Sequence, residues 1–322
     1  MKITNRHGLP AITENALKMD IFDPRNYPLN ILWLTTLIGP PLPGILKRAH
    51  FEELIIDITD MAFRFIGSAV HDMIWKRAIK NQKNLSIFAE EKVYLEVETM
   101  EIITLPVGQT LWKDYDKFSE DKLYVSIKMD CYDYEAQSVD DHKVTSKWSY
   151  ILEDSGVKPD TVAQLNVAGF VIRKLGFPVK TARVNYWFRD WSASEAAKQA
   201  NYPPAPIYTQ HNVPIWTDAA CEEYIRERVI VHTTALSRDN VEDVVACSPS
   251  ERWEKPTTYA VMKAGNKRAA KVCGSREAAD RYIVDNSVKG AYVDLRPGSN
   301  VRCERFCECN KWCHFYKKLG GE

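Results

Sequence analysis

Two carboxylates and a lysine lie close together near the middle of the chain. Asp130 ends one run of alternating residues, and Asp141 and Lys143 lie two positions apart in the next run. Residues two apart on a β-strand leave the same face of the sheet, and a short turn near residues 135–138 would bring Asp130 beside Asp141. Carboxylate oxygens bind hard divalent cations, and a neighbouring lysine can stabilise charge on a phosphate oxygen. These three residues predict a hydrolytic centre that uses Mg²⁺ or Mn²⁺.

Two further residues strengthen this prediction. An acid-x-Lys triplet is common by chance, and alternating charge on a strand usually faces solvent. His71 alone is typical of a core histidine, and Gln164 alone is typical of a surface residue. The ordered set of helix-His, strand-Asp, Asp-x-Lys and helix-Gln is hard to obtain by accident. Asp140 directly precedes Asp141, so a one-residue shift would exchange them, and we prefer Asp141 because only it stands two before Lys143.

The elements that must position these residues follow from periodicity. Apolar residues spaced by three and four predict helices, and alternation with β-branched residues predicts strands. The expected helices cover 51–80 (with a possible break near Gly67), 160–176 and 217–236, and the expected strands cover 86–98, 101–106, 123–131, 138–145 and 180–189. This order is an αβββαβ core of the α/β class. Glu91, at the start of the first strand, is a candidate accessory acid.

A second, smaller unit follows. Residues 258–263 and 268–273 predict a hairpin, and Ser275 caps a helix over 276–285, which together form a ββα module. We therefore expect two domains, 1–245 and 246–322. From Lys255 onward there are 14 Lys and Arg against 7 Asp and Glu, a local charge of +7. The equal numbers of basic and acidic residues in the whole chain therefore conceal a basic C-terminal region.

Composition excludes several classes of protein. Lys plus Arg and Asp plus Glu both number 43 in 322 residues, so the chain is not a histone-like or tail-type polyanion binder. Its longest apolar stretch is about half of the ~20 residues that a bilayer requires, so no membrane contact is expected. No apolar run follows the basic residues of the N-terminus, so we expect a cytoplasmic protein, which is the host cytosol for a phage-encoded one.

The motifs resemble the RecB-like branch of the PD-(D/E)XK nuclease superfamily, particularly its phage and prophage members. The residues that carry the resemblance lie within about 30–195: LTTLIGPP (34–41), GSAVH (67–71), IKMD (127–130), DDHKVTS (140–146), QLNVAGFVIRKLG (164–176) and YWFRDWS (186–192). The resemblance implies a restriction-endonuclease-like core. It implies metal binding by His71, Asp130, Asp141 and the backbone carbonyl of His142. It also implies a catalytic Lys143 with Gln164 nearby. Ala168 departs from the family pattern, which often has tyrosine there.

Four cysteines near the C-terminus form the second strong signal. Cys303, Cys307, Cys309 and Cys313 lie within eleven positions, and clustered cysteines in a reducing compartment more often bind metal than form disulfides. The sequence is similar here to iron–sulfur nucleases of the CRISPR-associated and AddB types, whose last two cysteines have the spacing of Cys307 and Cys313. The resemblance implies a [4Fe-4S] cluster on Cys303, Cys307 and Cys313 with a distant fourth ligand.

Cys247 is the best candidate for that fourth ligand, although in the enzymes compared the distant cysteine precedes the nuclease core and here it follows it. Cys309 is a rival, and a zinc site on the four clustered cysteines is the alternative, although one residue between two ligands is tight.

These features together predict a metal-dependent deoxyribonuclease, expected to be an exonuclease on DNA ends in phage recombination or DNA processing. Recombination or phage replication proteins are possible partners. The basic C-terminal region, with Trp312, Phe315 and Tyr316, could track a DNA strand, and an ordinary solvated surface is an equally good reading. Two alternatives stay open. One is a non-catalytic DNA-binding or assembly subunit that keeps the nuclease fold, and the other is an RNA nuclease.

Overall fold

The structure of the chain is a computed structural model. The structure describes all residues except 19, 20, 22, 81–86, 90, 91, 105–117, 152–156, 212 and 322. Helices and strands are mixed throughout, so the protein belongs to the α/β class. The chain divides into two compact units, the first formed by 1–41 and 48–238 and the second by 42–47 and 239–322.

The regular elements are numbered in chain order. The helices are α1 (Ala11–Lys18), α2 (Leu34–Ile38), α3 (Pro41–Ala49), α4 (Ala62–Lys80), α5 (Trp148–Ile151), α6 (Pro159–Lys174), α7 (Ala193–Ala196), α8 (Asp218–Leu236), α9 (Arg276–Asp285), α10 (Val301–Arg305) and α11 (His314–Lys318). The strands are β1 (Lys2–Thr4), β2 (Ile31–Trp33), β3 (Ile55–Asp57), β4 (Ile87–Ala89), β5 (Lys92–Glu96), β6 (Ile102–Thr104), β7 (Tyr124–Lys128), β8 (Cys131–Asp133), β9 (Ser138–Thr145), β10 (Thr181–Phe188), β11 (Ile207–Gln210), β12 (Glu254–Lys255), β13 (Thr258–Lys263), β14 (Lys271–Cys273), β15 (Ala291–Arg296) and β16 (Ser299–Asn300).

Two sheets of the first unit lead the chain through the candidate site. One has the strand order β11-β10-β9-β8-β4 and the other has the order β2-β7-β5-β6. Strands β7 and β8 are separated only by Met129 and Asp130, so the chain passes from one sheet to the other at Asp130. Strand β8 pairs antiparallel with β9, and β9 pairs parallel with β10 after the chain has crossed through α6.

Helix α6 is the central helix of the first unit and is apolar on most of its surface. Val167, Phe170 and Val171 are fully buried among side chains of the sheets, α2 and α8. The one buried polar side chain of its middle turns, Asn166, donates to the carbonyls of Val162 and Pro214 and accepts from the Trp216 amide. These hydrogen bonds offset the free-energy cost of burying the Asn166 side chain. They fix α6, and with it Gln164, against the segment 214–216 that precedes α8.

The structure agrees with several predicted bounds and corrects others. Strand β9 and helix α9 have the predicted limits, 138–145 and 276–285. The expected helix over 51–80 begins only at Ala62, because residues 55–57 form β3 and pair with β1. Gly67 does not interrupt α4. The first fifty residues, for which the sequence analysis gave no helix or strand, contain β1, β2 and helices α1 to α3.

The second unit contains a strand that the sequence analysis missed. Strand β15 pairs with β13 and gives a three-stranded sheet of order β14-β13-β15, so the predicted ββα module is ββαβ. The short strands β12 and β16 pair on either side of this module. Residues 42–47 also belong to this unit, although the sequence analysis assigned them to the first domain. Among the described residues, no helix combines the length and the apolar character needed to span a bilayer.

Candidate active site and cysteine site

Asp141 lies in the middle of β9 with its carboxylate buried. Its side chain is 3% exposed, and Oδ1 accepts hydrogen bonds from Lys143 Nζ at 2.9 Å and from Gln164 Nε2 at 2.8 Å. The same lysine donates to Gln164 Oε1 at 2.9 Å. Lys143 shares the strand face with Asp141, and Gln164 reaches the pair from α6. The three side chains thus form a closed triangle of hydrogen bonds.

Asp130 lies opposite, at the point where the chain leaves β7. Its Oδ2 accepts the backbone N–H of His142 at 2.9 Å, which continues the antiparallel register of β8 and β9. His71 on α4 donates from Nε2 to the carbonyl of His142 at 3.0 Å. The Nδ1 atom of His71 lies 3.6 Å from the same Asp130 oxygen. The structure therefore brings the predicted residues of three separate segments to one place.

The two carboxylates influence each other electrostatically. Burial raises the pKa of Asp130 to about 6, and the negative charge of Asp141 adds to this effect. His71, the His142 amide and Lys143 act in the opposite direction. Asp141 Oδ2 is buried and has no hydrogen-bond partner among the described residues. An ionised oxygen in that position is costly unless a cation satisfies it.

Asp140, the alternative to Asp141 in the sequence, forms an ion pair on the opposite face of β9. Arg183 of β10 donates to both of its carboxylate oxygens, each at 2.7 Å, and Ser138 donates to Oδ1 at 2.6 Å. Neighbouring residues of a strand point to opposite faces, so Asp140 cannot share the face of Asp141 and Lys143. The contacts favour Asp141 as the site carboxylate, as the sequence analysis preferred.

Trp187 is a residue of this site that the sequence analysis did not single out. Its indole N–H donates to His142 Nδ1 at 3.3 Å, so the imidazole of His142 is held from β10. This orients the residue whose carbonyl and amide contact His71 and Asp130. The signal was present in the YWFRDWS segment, but no spacing rule connects Trp187 with His142. Glu91 lies outside the described residues.

The candidate metal ligands around Asp141 are mainly oxygen atoms. No group of three or more His, Cys, Asp or Glu side chains in the described part of the chain meets the requirements of a metal site. The donor types nevertheless suit a hard cation, since Asp130, Asp141 and the His142 carbonyl offer oxygen. The unpartnered Oδ2 of Asp141 is the atom that a cation would satisfy.

Four of the C-terminal cysteines lie near one another in the second unit. Burial, with smaller contributions from Glu251, Cys307 and Cys313, raises the pKa of the Cys247 thiol to about 12. Burial likewise raises the pKa of Cys303, again with contributions from Cys307 and Cys313. Cys307 and Cys313 contribute in the same direction to the pKa of Cys309, so their charges act on all three of these thiols. Among the described residues, no group of three or more cysteine side chains is arranged as a metal site.

A small scaffold brings Cys247 to the other three. Strand β12 pairs with β16, which joins the chain just after Cys247 to the chain just before Cys303. Arg252 donates to the Cys247 carbonyl and to Asn300 Oδ1, and its guanidinium lies 4.2 Å from the Phe315 ring centroid. The ββαβ module is therefore closed at its base.

Cys309 has a different environment. Its thiol is 2% exposed and donates to the carbonyl of Pro43 at 3.6 Å. Burial, with further contributions from Cys307, Glu308 and Cys313, raises its pKa to about 12. The hydrogen bond to Pro43 gives this thiol a partner outside the cysteine group, which favours Cys247 over Cys309 as the fourth ligand.

Comparison with known proteins gives little further information. No protein-family model matches the chain, and no curated protein matches it. Among solved structures, the crystal structure of SSO0001 is similar over 70% of this chain and 88% of that one, with 14% identity and a TM-score of 0.40. At that level of similarity, the match supports no functional argument.

Proposed function

We propose that this protein is a metal-dependent nuclease with a restriction-endonuclease-like core, acting as a deoxyribonuclease on DNA ends. The observation that carries the proposal is the geometry around Asp141. One of its oxygens binds Lys143 and Gln164, and the other is buried without a partner among the described residues. A buried carboxylate of this kind, beside a second carboxylate and a lysine, is arranged for a cation and a phosphate rather than for stability alone.

The element order supports the same proposal. Helix α4 supplies His71, Asp130 directly precedes β8, and β9 supplies Asp141 and Lys143. Helix α6 then supplies Gln164, and β10 returns parallel to β9. Along this sheet the order α4, β4, β8, β9, α6, β10 is consistent with the αβββαβ order that the resemblance to RecB-like nucleases implies, and β5, β6 and β7 intervene in the other sheet.

Each side chain has a distinct role in the proposed reaction. Asp130, Asp141, His71 and the His142 carbonyl would hold Mg²⁺ or Mn²⁺. The bound cation would supply Lewis-acid activation of the phosphodiester and of the attacking water. Lys143 stabilises negative charge that develops on the phosphate oxygens. Gln164 holds the Lys143 ammonium and the Asp141 carboxylate in a fixed relation, and Trp187 holds His142.

We further propose that Cys247, Cys303, Cys307 and Cys313 hold a [4Fe-4S] cluster, with Zn²⁺ as the alternative. The pairing of β12 with β16, which joins the chain after Cys247 to the chain before Cys303, supports this ligand set. Thiolates suit both kinds of centre. The centre would join the two ends of the ββαβ module, which has too few residues to build a large core by itself.

The setting of this activity is part of the same proposal. A nuclease that acts on DNA ends fits phage or prophage recombination and DNA processing in the host cytoplasm, together with recombination or replication proteins.

The decisive experiment compares cleavage of end-labelled linear DNA and covalently closed circular DNA. Purified protein is incubated with each substrate in Mg²⁺, Mn²⁺ or EDTA, together with the variants Asp141→Asn and Asp140→Asn. The proposal expects cation-dependent cleavage of linear DNA that Asp141→Asn abolishes and Asp140→Asn retains. Asp140→Asn is the matched control, because it removes one carboxylate charge from the adjacent position on the opposite face.

The other outcomes assign the alternative functions. Binding of DNA without cleavage in either cation would indicate a non-catalytic subunit that keeps the fold. Cleavage of end-labelled RNA in preference to DNA would indicate an RNA nuclease. Equal rates of cleavage of linear and closed circular DNA would indicate an endonuclease rather than an exonuclease.

A further inference from the structure

The β13–β14 hairpin of the second unit has an unusual distribution of charge. Six basic residues and no acidic residue occur between Lys255 and Arg276. Four of the six, Lys263, Lys267, Arg268 and Lys271, lie at the tip, residues 263–271, which we call the basic hairpin. All four are exposed. None of them forms an ion pair with any residue that the structure describes.

The backbone of the tip displays these cations together. The Asn266 amide donates to the Lys263 carbonyl at 3.0 Å, and Gly265 has a φ of +85°, which closes the turn. Val261 is opposite Lys271 in the antiparallel register. Lys263 and Lys271 therefore lie on the same sheet face as diagonal neighbours, about 7–8 Å apart. Lys267 and Arg268 extend from the loop between them.

Two other arginines of the module are neutralised. Arg276 pairs with Asp280 at 3.2 Å, and Arg296 pairs with Asp294 at 3.4 Å. Four like charges without such partners repel one another and oppose folding. The tip also carries no large apolar side chain, because the loop residues are Ala264, Gly265, Asn266, Ala269 and Ala270. Protein–protein interfaces generally need an aromatic or aliphatic anchor, so a polyanionic backbone is the better fit.

We propose that the basic hairpin binds the phosphate backbone of DNA. This inference rests on the proposed function for the identity of the polyanion, but the surface is separate from the residues that would cleave it. The contact is electrostatic and independent of sequence, because a backbone of phosphates has no base-specific groups to read. Each cation that meets a phosphate releases a counterion, so the affinity depends steeply on salt.

The test measures equilibrium binding of the full chain to a fluorescein-labelled DNA duplex in EDTA across a salt series. The tip variant carries Lys263→Gln, Lys267→Gln, Arg268→Gln and Lys271→Gln. Its slope of log affinity against log salt should be smaller than that of the wild type by about 3–4, at about 0.9 for each lost phosphate contact. The matched control removes the same number of charges from the same module, through Arg276→Gln, Arg281→Gln, Lys289→Gln and Arg296→Gln, and should keep the wild-type slope.

The outcomes separate this inference from the proposed function. A reduced slope in the tip variant alone supports the inference, even if the wild type cleaves nothing. Equal slopes in the tip variant and the control overturn it, even if the wild type cleaves DNA. Binding of the wild type to polyglutamate but not to the duplex would also overturn it, in favour of an acidic protein partner. If the tip variant does not melt cooperatively, the loop-only variant Lys267→Glu with Arg268→Glu replaces it under the same criteria.

Discussion

The ammonium of Lys143 lies 2.9 Å from Oδ1 of Asp141, on the same face of β9. The Gln164 amide contacts both groups, so the carboxylate oxygen is shared by two donors and the lysine is held at two points. This arrangement leaves the second oxygen of Asp141 without a hydrogen-bond partner among the described residues. The first two predictions follow from it.

Asp141→Asn should abolish cation-dependent cleavage. The substitution keeps the shape of the side chain and removes the charge that a cation and Lys143 both require. Loss of one charge-stabilising group typically costs about 10²–10³ in rate. The measurement is single-turnover cleavage of linear DNA at saturating protein. Full activity in this variant, with loss of activity in Asp140→Asn, would move the site to the opposite face of β9.

Gln164→Leu should lower kcat while leaving KM nearly unchanged. The amide touches Lys143 and Asp141 rather than substrate, so its loss misplaces the reacting groups, and misplacement of this kind costs up to about 10²-fold. Gln199→Leu is the control, since Gln199 is exposed. A rise in KM with unchanged kcat would show instead that Gln164 contacts substrate.

Asp130 should make the stability of the cation-free protein fall as pH rises. Its pKa is about 6 in the folded chain, and the ordinary value of an unfolded aspartate is near 3.8. The folded state therefore holds the proton more tightly, and this contribution is complete below about pH 4 and is lost as pH passes about 6. A shift of about two pKa units corresponds to roughly 3 kcal/mol.

Urea unfolding in EDTA between about pH 4 and 7 measures this effect. The free energy of unfolding of the wild type should fall across the range relative to that of Asp130→Asn, which has no proton to lose at this position. Parallel pH profiles for the two proteins would mean that Asp130 is not the titrating group.

Divalent cations should stabilise the wild type more at pH 7 than at pH 5. A cation prefers ionised carboxylates, and stabilisation by a ligand that binds only the folded state follows its affinity. At a concentration of 100 times the dissociation constant, the gain is about 2.7 kcal/mol. Thermal melting with and without Mn²⁺ tests this. Asp130→Asn with Asp141→Asn should show no cation effect.

Cys247→Ser should release the metal of the second unit and destabilise residues 239–322, whereas Cys309→Ser should do neither. Cys247 lies among the other candidate ligands, while the Cys309 thiol donates to Pro43, a contact that a serine hydroxyl can keep. Protein purified without oxygen should be brown if the centre is a [4Fe-4S] cluster. Metal analysis and hydrogen exchange of the two variants give the measurement. Metal loss from Cys309→Ser but not from Cys247→Ser would mean that the four clustered cysteines, Cys303, Cys307, Cys309 and Cys313, are the ligands.

Local pattern determined much of the fold. The bounds of β9 and α9 follow from alternation and from a serine cap, because both signals lie within a few neighbouring residues. The N-terminal strands were missed because they depend on pairing with segments that are distant in the chain. Strand β3 exists because β1 pairs with it, and its partner lies about fifty positions away in the chain.

The sequence by itself determined that Asp141 and Lys143 share a face, since the two-residue repeat of a strand allows nothing else. Only the tertiary structure decided which acid is in the site. Arg183, which lies in β10, donates hydrogen bonds to Asp140, whereas Gln164 and Lys143 donate to Asp141. It also decided that the chain after Cys247 pairs with the chain before Cys303, through β12 and β16. Such choices depend on segments that meet only after folding, so no spacing rule along the chain contains them.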